Sequence, residues 1–376
     1  MKKTINKGKS VLVALSGGVD SSVAAFLLQK QGYNVSGSFI KCFNIDGCAV
    51  TDAEDARRVA SHLNIPFYTF DFEKEYKKRV VEYMIKEYKA GRTPNPDVMC
   101  NKMVKFDLFL KQAKKMDFDF IATGHYSRLR RNNQFSIPNF QLLAAHDSAK
   151  DQTYFLWTLT QNILKQCLFP IGDYKKSEVR EIARKANLPT AEKKDSQGIC
   201  FLGKISIMDF LKKYIKAKDG DVLNTKGDII GTHDGAAFYT IGQRHGFTIK
   251  TKDTKTKPRY IAEKNVKTNT LIVAEANDPA LSKKELTLTN LNFINPKNHT
   301  PIRANGGNEV FVRIRYRQPL QKAKLMKLSA SAKGGSASGG KSYKLIFDSN
   351  QKFIASGQSA VFYSKTGELL GGGIIA

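Results

Sequence analysis

The stretch VLVALSGGVDSSVAAFLL, from Val11 to Leu28, decides how the first half of the chain folds. Its opening apolar run predicts a buried β-strand, and the apolar residues after Ser22 recur at the spacing of a helix. Between them, Gly17 and Gly18 let the backbone approach an anion closely, because glycine has no Cβ. The N–H groups at the start of the helix attract negative charge. The segment therefore predicts a phosphate-binding loop at Ser16–Ser22, which differs from the usual NTPase loop because no lysine follows its glycines.

Strand-like and helix-like patterns alternate along the N-terminal half. The strand candidates are Val11–Ser16, Asn34–Lys41, Phe67–Phe72 and Phe118–His125. One helix is predicted after the possible N-caps Thr51 and Asp52, and another over Asp173–Ala186. This alternation indicates an α/β fold in which helices flank a parallel sheet.

The pattern of the sequence changes after residue 205. A short helix is expected around Ile207–Tyr214, followed by short β-prone runs between Gly, Asn and Asp residues. These runs include Ala237–Ile241, Thr270–Val273, Glu309–Tyr316, Lys344–Phe347 and Ala360–Tyr363. These runs indicate one or two small β-domains, and the domain bounds that we expect are 1–205, 206–280 and 281–376. A Gly/Ser-rich stretch over 329–342 is expected to be a flexible insertion in the last domain.

The composition points to a polyanionic partner. Basic residues outnumber acidic ones by 61 to 34, which gives a formal net charge of +27. A proteome that is Lys-rich throughout would produce the same excess, since charge alone specifies no ligand. The apolar runs are too short to span a membrane, and the first residues lack the pattern of a secretory signal. We therefore expect no membrane partner and a cytoplasmic location, where the five cysteines would be reduced.

Two further motifs place cysteines in polar surroundings. In NPDVMCNKMVKF, Asn95–Phe106, Asp97 and Cys100 are three residues apart, a spacing that puts both on one face of a helix. In KDSQGICFLG, Lys194–Gly203, a glycine turn presents Cys200. A lone buried cysteine is usually inert, but neighbouring lysines favour the reactive thiolate. Both thiols are therefore candidates for catalysis.

These motifs carry a resemblance to known enzymes. The string SGGVDSS resembles the pyrophosphate loop of the ATP pyrophosphatases, in which Asp20 would either orient a Mg²⁺ ion or cap the helix. Over nearly its full length the chain is similar to the tRNA-specific 2-thiouridylases. The matching strings also include GHYSR at Gly124–Arg128, KDQTYFLW at Lys150–Trp157, YTIGQRHG at Tyr239–Gly246 and RIRYRQ at Arg313–Gln318.

The resemblance implies ATP-dependent 2-thiolation of the wobble uridine in the Lys, Glu and Gln tRNAs. ATP, accompanied by Mg²⁺, would adenylate the C2 oxygen of the uridine, and no metal site in the protein itself is implied. A sulfur-relay protein would load Cys200 as a persulfide, and AMP and pyrophosphate would be released. Cys100 would attack either the persulfide, ending in a Cys100–Cys200 disulfide, or the base itself. Asp97 is implied as the general acid or base.

The resemblance implies a catalytic domain over 1–205, a small central domain that contacts tRNA over 206–280, and a β-barrel-like domain over 281–376. It also implies which residues bind the two substrates. On the ATP side these are Ala14, Leu15, Ser16, Gly17, Gly18, Val19, Asp20 and Ser21, with Ile40 and Gly124 at the adenine and ribose. On the tRNA side these are Asn95, Pro96 and Asp97 at the target base, His125 beside the uridine, and Lys150, Asp151, Gln152, Arg315, Tyr316 and Gln358. Ile40 is assigned by position alone, because FIKCF replaces the string that is usual in the family.

The remaining cysteines receive no catalytic role. Cys42 and Cys48 lack the spacing of a zinc site, so we expect incidental packing, and Cys167 lies in an apolar run that is typical of a core. Two other kinds of protein would explain part of the sequence. An amidoligase with the same loop would not need two cysteines, and a non-catalytic RNA-binding protein would not use the loop. Exchange of pyrophosphate into ATP, with and without tRNA, would separate the three.

Overall fold

The computed structural model describes residues 8–43, 48–132, 139–195, 205–250, 257–296, 307–328 and 342–376. Along the chain, an α/β unit is followed by a small five-stranded unit and then by a closed six-stranded barrel. The α/β class and the β-barrel predicted from the sequence are confirmed.

The N-terminal unit contains a five-stranded parallel sheet. Its elements are β1 (Ser10–Ala14), α1 (Val19–Lys30), β2 (Asn34–Lys41), α2 (Cys48–His62), β3 (Phe67–Asp71), α3 (Glu73–Tyr76), α4 (Glu82–Lys89), α5 (Pro96–Cys100), α6 (Leu110–Lys115), β4 (Phe120–Ala122), β5 (Arg128–Asn132), β6 (Asn139–Leu143), α7 (Gln161–Leu164), β7 (Cys167–Leu168) and α8 (Lys176–Lys185), with π-helical turns over Lys77–Val81 and Asn101–Phe109 and a 3₁₀ turn over Thr153–Phe155. The strand order in the sheet is β3-β2-β1-β4-β7, and β5 pairs with β6 in a separate hairpin.

Strand β1 lies in the middle of the sheet because it is apolar on both faces. Val11 and Val13 pack into one core cluster, and Leu12, which points the opposite way, packs into another. Helices cover both sides, as a parallel sheet requires. The chain crosses from one side of β1 to the other between β3 and β4, so the carboxyl ends of β1 and β4 form the point where the strand order reverses. In open α/β sheets, ligands bind at this point.

The four predicted strands of this unit are confirmed, with ends within three residues of those expected. The helix predicted over 173–186 is also confirmed, as α8. The predicted start of α2 is wrong: the helix begins at Cys48, so Thr51 and Asp52 lie within it and do not cap it. A capping side chain is a preference and not a requirement, and here α2 begins one turn earlier.

The central unit and the barrel account for the second half. The central unit has α9 (Ile207–Lys212), β8 (Gly220–Leu223), β9 (Ile229–His233), a 3₁₀ turn (Ala236–Phe238), β10 (Phe247–Ile249), β11 (Arg259–Asn265) and β12 (Thr270–Glu275). A 3₁₀ turn (Pro279–Leu281) leads into the barrel. The barrel has β13 (Ser282–Phe293), β14 (Asn308–Arg313), β15 (Gln321–Lys327), β16 (Tyr343–Lys352), β17 (Ser359–Tyr363) and β18 (Leu369–Ile375). The central sheet has the order β10-β9-β8-β12-β11, and the barrel closes as β13-β16-β15-β14-β17-β18.

One predicted strand of the central unit is wrong. Residues 237–241 were expected to be extended, but the 3₁₀ turn Ala236–Phe238 occupies this position. Gly235, with φ of 138°, starts the turn, and Phe238 and Tyr239 are buried without pairing in a sheet. The predicted helix near Ile207 and the other four β-prone runs are confirmed. The Gly/Ser-rich stretch falls almost entirely on residues 329–341, outside the described residues.

The three units share their cores. One cluster joins Phe106 and Phe109 of the α/β unit to Val361 and Tyr363 of the barrel. Another joins Cys100 and the helix residues before it to the central unit. The helix that carries Cys100 therefore packs between units, so its position depends on contacts with more than one of them.

Candidate active site

The predicted phosphate loop lies directly after β1 and leads into α1. The hydroxyl of Ser21 accepts a hydrogen bond from the Ser16 backbone N–H at 3.1 Å and lies 3.2 Å from the Ser16 hydroxyl. Ser21 and Ser22 also donate to the carbonyl oxygen of Gly18, at 3.2 and 2.8 Å. These bonds fold the loop back on itself around the first turn of α1. The backbone is thereby held in the curved shape that an anion-binding loop needs.

Two glycines of the site tolerate no side chain. Gly17 has φ of 72°, and a Cβ there would lie 2.4 Å from the carbonyl oxygen of Asp52. Gly124, just beyond β4, approaches so closely that a Cβ would lie 2.6 Å from the backbone nitrogen of Ser21. The ends of β1 and β4 therefore meet at the loop. Ile40 lies at the end of β2, on the same edge of the sheet, and is half-buried.

Asp20 in the loop is held by two partners. Its Oδ1 accepts a hydrogen bond from the Tyr126 hydroxyl at 2.8 Å and an ion pair from Lys176 Nζ at 2.7 Å. Burial, followed by the nearby Asp20 charge, raises the pKa of Tyr126, so its hydroxyl stays protonated and donates. Of the two roles considered for Asp20, the helix cap is wrong: Gly18 is the N-cap of α1, and no side chain caps it.

Asp97 and Cys100 lie on a short helix whose start is built into the sequence. Asn95 caps α5 by accepting a hydrogen bond from the Val98 N–H at 3.2 Å, and Pro96 occupies the first helical position. The predicted helix, with its carboxylate and thiol three residues apart, is therefore confirmed. Cys100 is only 4% exposed and packs in the core shared with the central unit.

The environment of Asp97 suits proton transfer. Burial raises the pKa of its carboxyl above the ordinary value of 3.8, and the positive charge of Lys105 opposes part of that rise. A raised pKa makes the carboxylate a stronger base than an ordinary aspartate. Lys105 lies in the π-helical turn that continues α5, where hydrogen bonds join residues five apart. Such turns are frequent at functional sites.

His125 joins the loop to this helix. It follows Gly124, which touches Ser21, and its ring lies 5.9 Å from that of Phe106 and 6.3 Å from that of Phe169. Burial, and secondarily the charge of Lys105, lowers its pKa well below 6.5. The ring is therefore neutral at physiological pH, and its Nδ1 lies 2.7 Å from the Thr123 hydroxyl.

Cys200 lies outside the described residues, but the segment leading towards it is firmly anchored. Lys193 forms ion pairs with Asp52 and Asp55 at 2.7 and 2.6 Å. Asp195 forms ion pairs with Lys150, Lys176 and Arg180, at 2.7, 2.8 and 2.9 Å. Burial alone would raise the pKa of Asp195, but hydrogen bonds from Lys150 and Lys176 outweigh it and lower the pKa to about 2.

The residues predicted to contact tRNA in KDQ, 150–152, have different surroundings. Lys150 is partly exposed, at 32%, and pairs with Asp195. The Asp151 side chain is only 1% exposed and pairs with Arg313 at 2.7 Å. Gln152 accepts a hydrogen bond from the backbone of Tyr126 at 2.9 Å. Of the three side chains, that of Lys150 is therefore the best placed to meet a phosphate.

The three predicted contacts from the barrel have different surroundings, and one of them, Gln358, binds the loop that precedes α5. Gln358 donates to the carbonyl oxygens of Thr93 and Pro94 at 3.1 and 3.3 Å. Arg315 donates to the carbonyl oxygen of Phe353 at 2.6 Å. The ring of Tyr316 lies 4.5 Å from that of Phe155. The barrel thus supports the segment that carries Asn95 and Asp97.

Cys167 and Cys42 lie in apolar surroundings. Cys167 is buried in the core, as predicted, and burial raises its pKa. Cys42 is half-buried and packs against the cluster that contains Cys100. Within the part of the chain that the structure describes, no three His, Cys, Asp or Glu residues are grouped so as to hold a metal ion. Nor does any helix in that part have the length and apolar character needed to cross a bilayer.

Three residues close to the site were missed in the sequence: Lys105, Tyr126 and Lys176. Lys105 and Tyr126 lie within quoted motifs, yet nothing local distinguishes their side chains. Lys176 opens a helix about 150 residues after the loop it touches, in a chain with 61 Lys and Arg residues. Only the tertiary fold identifies it.

Comparison with known proteins agrees with this geometry. Three domain families match in succession: "tRNA methyl transferase HUP domain" over residues 9–204, "tRNA methyl transferase PRC-barrel domain" over 208–275, and "Aminomethyltransferase beta-barrel domain" over 283–375. The tRNA-specific 2-thiouridylase MnmA of Shewanella denitrificans is 42% identical over 382 residues, covering 99% of this chain and 97% of the relative. That of Bacillus subtilis is 41% identical, covering 97% and 94%. The tRNA-specific 2-thiouridylase MnmA 1 of Geobacillus kaustophilus is 50% identical, covering 77% and 78%. The chain belongs to the tRNA-specific 2-thiouridylase family.

Proposed function

We propose that the protein is an ATP-dependent sulfurtransferase that replaces the C2 oxygen of the wobble uridine in the Lys, Glu and Gln tRNAs with sulfur. One observation carries the proposal: Gly124 and His125 connect the phosphate loop to the cysteine helix. Gly124 closely approaches Ser21, and His125 packs on Phe106, just beyond Cys100. A nucleotide on the loop and a base beside Asp97 would therefore be neighbours.

The first half-reaction activates the base. The C2 carbonyl of uridine is a poor electrophile, so its oxygen must first become a good leaving group. That oxygen attacks the α-phosphorus of ATP, and pyrophosphate leaves from the phosphate loop. Asp97 accepts the N3 proton, because its raised pKa makes it a stronger base than an ordinary aspartate. Neutral His125 is positioned to hydrogen-bond the base without adding a competing charge.

The second half-reaction delivers sulfur without releasing sulfide. A sulfur-relay protein loads Cys200 as a persulfide, whose terminal sulfur attacks C2. Cys100 thiolate then attacks the inner sulfur of Cys200, which leaves the terminal sulfur on C2, forms a Cys100–Cys200 disulfide and allows AMP to depart. A cellular thiol reduces that disulfide before the next cycle. In the alternative order, Cys100 first attacks C2 and displaces AMP, and the terminal persulfide sulfur then displaces Cys100 from C2. The freed Cys100 thiolate attacks the Cys200 sulfur, which breaks the S–S bond and again leaves sulfur on C2 and a Cys100–Cys200 disulfide.

Mg²⁺ would accompany ATP and neutralise charge on its phosphates. Asp20 suits this role because it is the carboxylate of the loop and because Tyr126 and Lys176 hold its Oδ1 in place. The large positive charge would gather tRNA from solution. With tRNA as substrate, we place the reaction in the cytoplasm.

The test follows labelled sulfur from a persulfide donor into unmodified tRNA. Wild type, Cys100→Ser and Cys200→Ser are compared by nucleoside mass spectrometry, with Cys42→Ser as the matched control. We expect 2-thiouridine only with ATP and with both Cys100 and Cys200, and full activity in the control. Persulfide retained on Cys100→Ser would support Cys200 as the carrier. Full activity of both variants would refute the cysteine roles, and a wild type that adenylates a small molecule but thiolates no tRNA would favour an amidoligase.

A further inference from the structure

The phosphate loop lacks a positive charge of its own. The only charged residue in SGGVDSS is Asp20, which is negative. The polyphosphate of ATP would therefore meet backbone dipoles and a carboxylate. Nucleotide-binding loops of the Walker type solve this problem with a lysine inside the loop that reaches the β- and γ-phosphates. In this chain the corresponding cation must come from elsewhere or from Mg²⁺ alone.

Lys176 is the cation that the structure brings to the loop. It is the first residue of α8, and its backbone N–H is fixed by Asp147 at 2.9 Å. Its ammonium lies 2.7 Å from Asp20 Oδ1 and 5.9 Å from the centre of the Tyr126 ring. The side chain is only 12% exposed. An ammonium so enclosed is held in one place, which makes it a better anion ligand than a mobile surface lysine.

Asp195 holds Lys176 from the other side. Its Oδ1 lies 2.8 Å from Lys176 Nζ and also binds Arg180, and its Oδ2 binds Lys150. These three cations face three carboxylates, those of Asp20, Asp195 and Asp147, so the group is neutral as a whole. An arriving polyphosphate would therefore find an ammonium that is already oriented and that can exchange one carboxylate partner for a phosphate.

We propose that Lys176 binds the β,γ-phosphates of ATP, in the role that a lysine inside the loop has in Walker-type proteins, that Asp20 positions its ammonium, and that Asp195 pairs with this ammonium until nucleotide binds. This inference rests on the proposed use of ATP. When nucleotide binds, the phosphates take over from Asp195 as the partner of Lys176. The first half-reaction is otherwise unchanged, since pyrophosphate is the group that Lys176 would hold as it leaves.

The test compares binding of ATP with binding of AMP, which lacks the β- and γ-phosphates, by calorimetry on the full chain. Lys176→Met should weaken ATP binding by about tenfold or more, because a charge-assisted bond is lost, but should change AMP binding little. Lys176→Arg should restore most of the affinity. Lys175→Met, at the exposed neighbouring position, is the control and should bind both nucleotides like wild type.

A purely structural role for Lys176 gives different results. If it only braces Asp20 and Asp195, Lys176→Met would weaken ATP and AMP equally, which would overturn the inference. Asp20→Asn and Asp195→Asn offer a second test, which leaves the lysine in place. Asp195 pairs with the ammonium only until nucleotide binds, so Asp195→Asn removes a competitor and should tighten ATP binding by about threefold or more. Weaker ATP binding by Asp195→Asn, or tighter ATP binding by Asp20→Asn, would overturn the inference. If wild type itself binds no ATP, the proposed function fails as well; if wild type and Lys176→Met bind ATP equally, only this inference fails.

Discussion

Among single residues, Asp97 makes the clearest link between stability and pH. Burial raises its pKa above the unfolded value of 3.8, so the folded protein binds this proton more tightly than the unfolded chain. The associated stability is complete below the unfolded pKa and is lost as pH rises through the folded pKa. Asp97→Asn removes the buried charge. At pH values above the folded pKa we therefore expect Asp97→Asn to raise Tm relative to wild type. At pH values below the unfolded pKa we expect little effect on Tm.

Thermal unfolding between about pH 4 and about pH 9 measures this difference. The control is Asp173→Asn, an exposed carboxylate that pairs with Arg130 and whose replacement should not give a rising gain in Tm. A constant offset between Asp97→Asn and wild type at every pH would contradict the prediction. The stabilised variant should also lose thiolation by about 10²- to 10⁴-fold, as expected when a general acid or base is removed.

Spacing in the sequence was enough to predict the relation between Asp97 and Cys100, because a helix fixes side chains three residues apart on one face. It was not enough for Lys105 or Lys176. Their importance comes from what lies opposite them, namely Asp97 and His125 for Lys105 and Asp20 and Asp195 for Lys176. Contacts of that kind join distant parts of the chain, and a lysine carries no local signal that distinguishes it from 60 other basic residues.

Among structural elements, the contact between the barrel and the loop before α5 can be tested with a pair of glycines. Gly357 and Gly227 both have left-handed φ, 91° and 93°. A Cβ on Gly357 would lie 2.9 Å from the carbonyl oxygen of Thr93, whereas a Cβ on Gly227 would meet nothing within 4 Å. Gly227→Ala should cost about 1–2 kcal/mol of unfolding free energy for the backbone conformation alone. Gly357→Ala should cost about 1–3 kcal/mol more, for the clash.

Urea unfolding gives the two free energies, and single-turnover thiolation gives the consequence for the site. Gly357→Ala should slow thiolation, since Thr93 leads into the cap and helix that carry Asp97, while Gly227→Ala should not. Equal destabilisation by the two substitutions would show that the barrel accommodates the added Cβ at Gly357 without a loss of unfolding free energy. The prediction for the loop would then be wrong.

Elements with a strong periodic pattern were located well from the sequence, and turns were not. Strand β1 is apolar at every interior position because both of its faces are buried, so its pattern is unmistakable. The run at 237–241 is also largely apolar, yet Phe238 and Tyr239 reach the core from a 3₁₀ turn. Local composition indicates that a residue is buried, but it does not indicate whether the backbone there is a strand or a turn.

At the level of the whole molecule, the three units pack against one another through shared core clusters. The cluster around Cys100 includes Phe210 and Val222 of the central unit, and the cluster around Phe106 includes Tyr363 of the barrel. The sequence indicated three successive units from changes in pattern. It could not indicate that the helix carrying Asp97 and Cys100 lies at their junction, since that follows from long-range packing alone.

Net charge gives the last prediction, which concerns how tRNA is held. A surplus of 27 positive charges attracts tRNA from any direction, but only lysines and arginines that touch phosphates release counterions. Lys150 is a candidate contact whose ammonium now pairs with Asp195. If it meets a tRNA phosphate in the complex, Lys150→Met should make the slope of log K against log salt shallower by about 0.7 to 0.9. Lys9→Met is the matched control, because Lys9 pairs with Asp119 at the amino ends of β1 and β4, on the opposite edge of the sheet from the site, and should leave the slope unchanged. Filter binding over a range of salt concentrations measures both. An unchanged slope for Lys150→Met would mean that Lys150 serves only to anchor Asp195, and that tRNA is held through other cations.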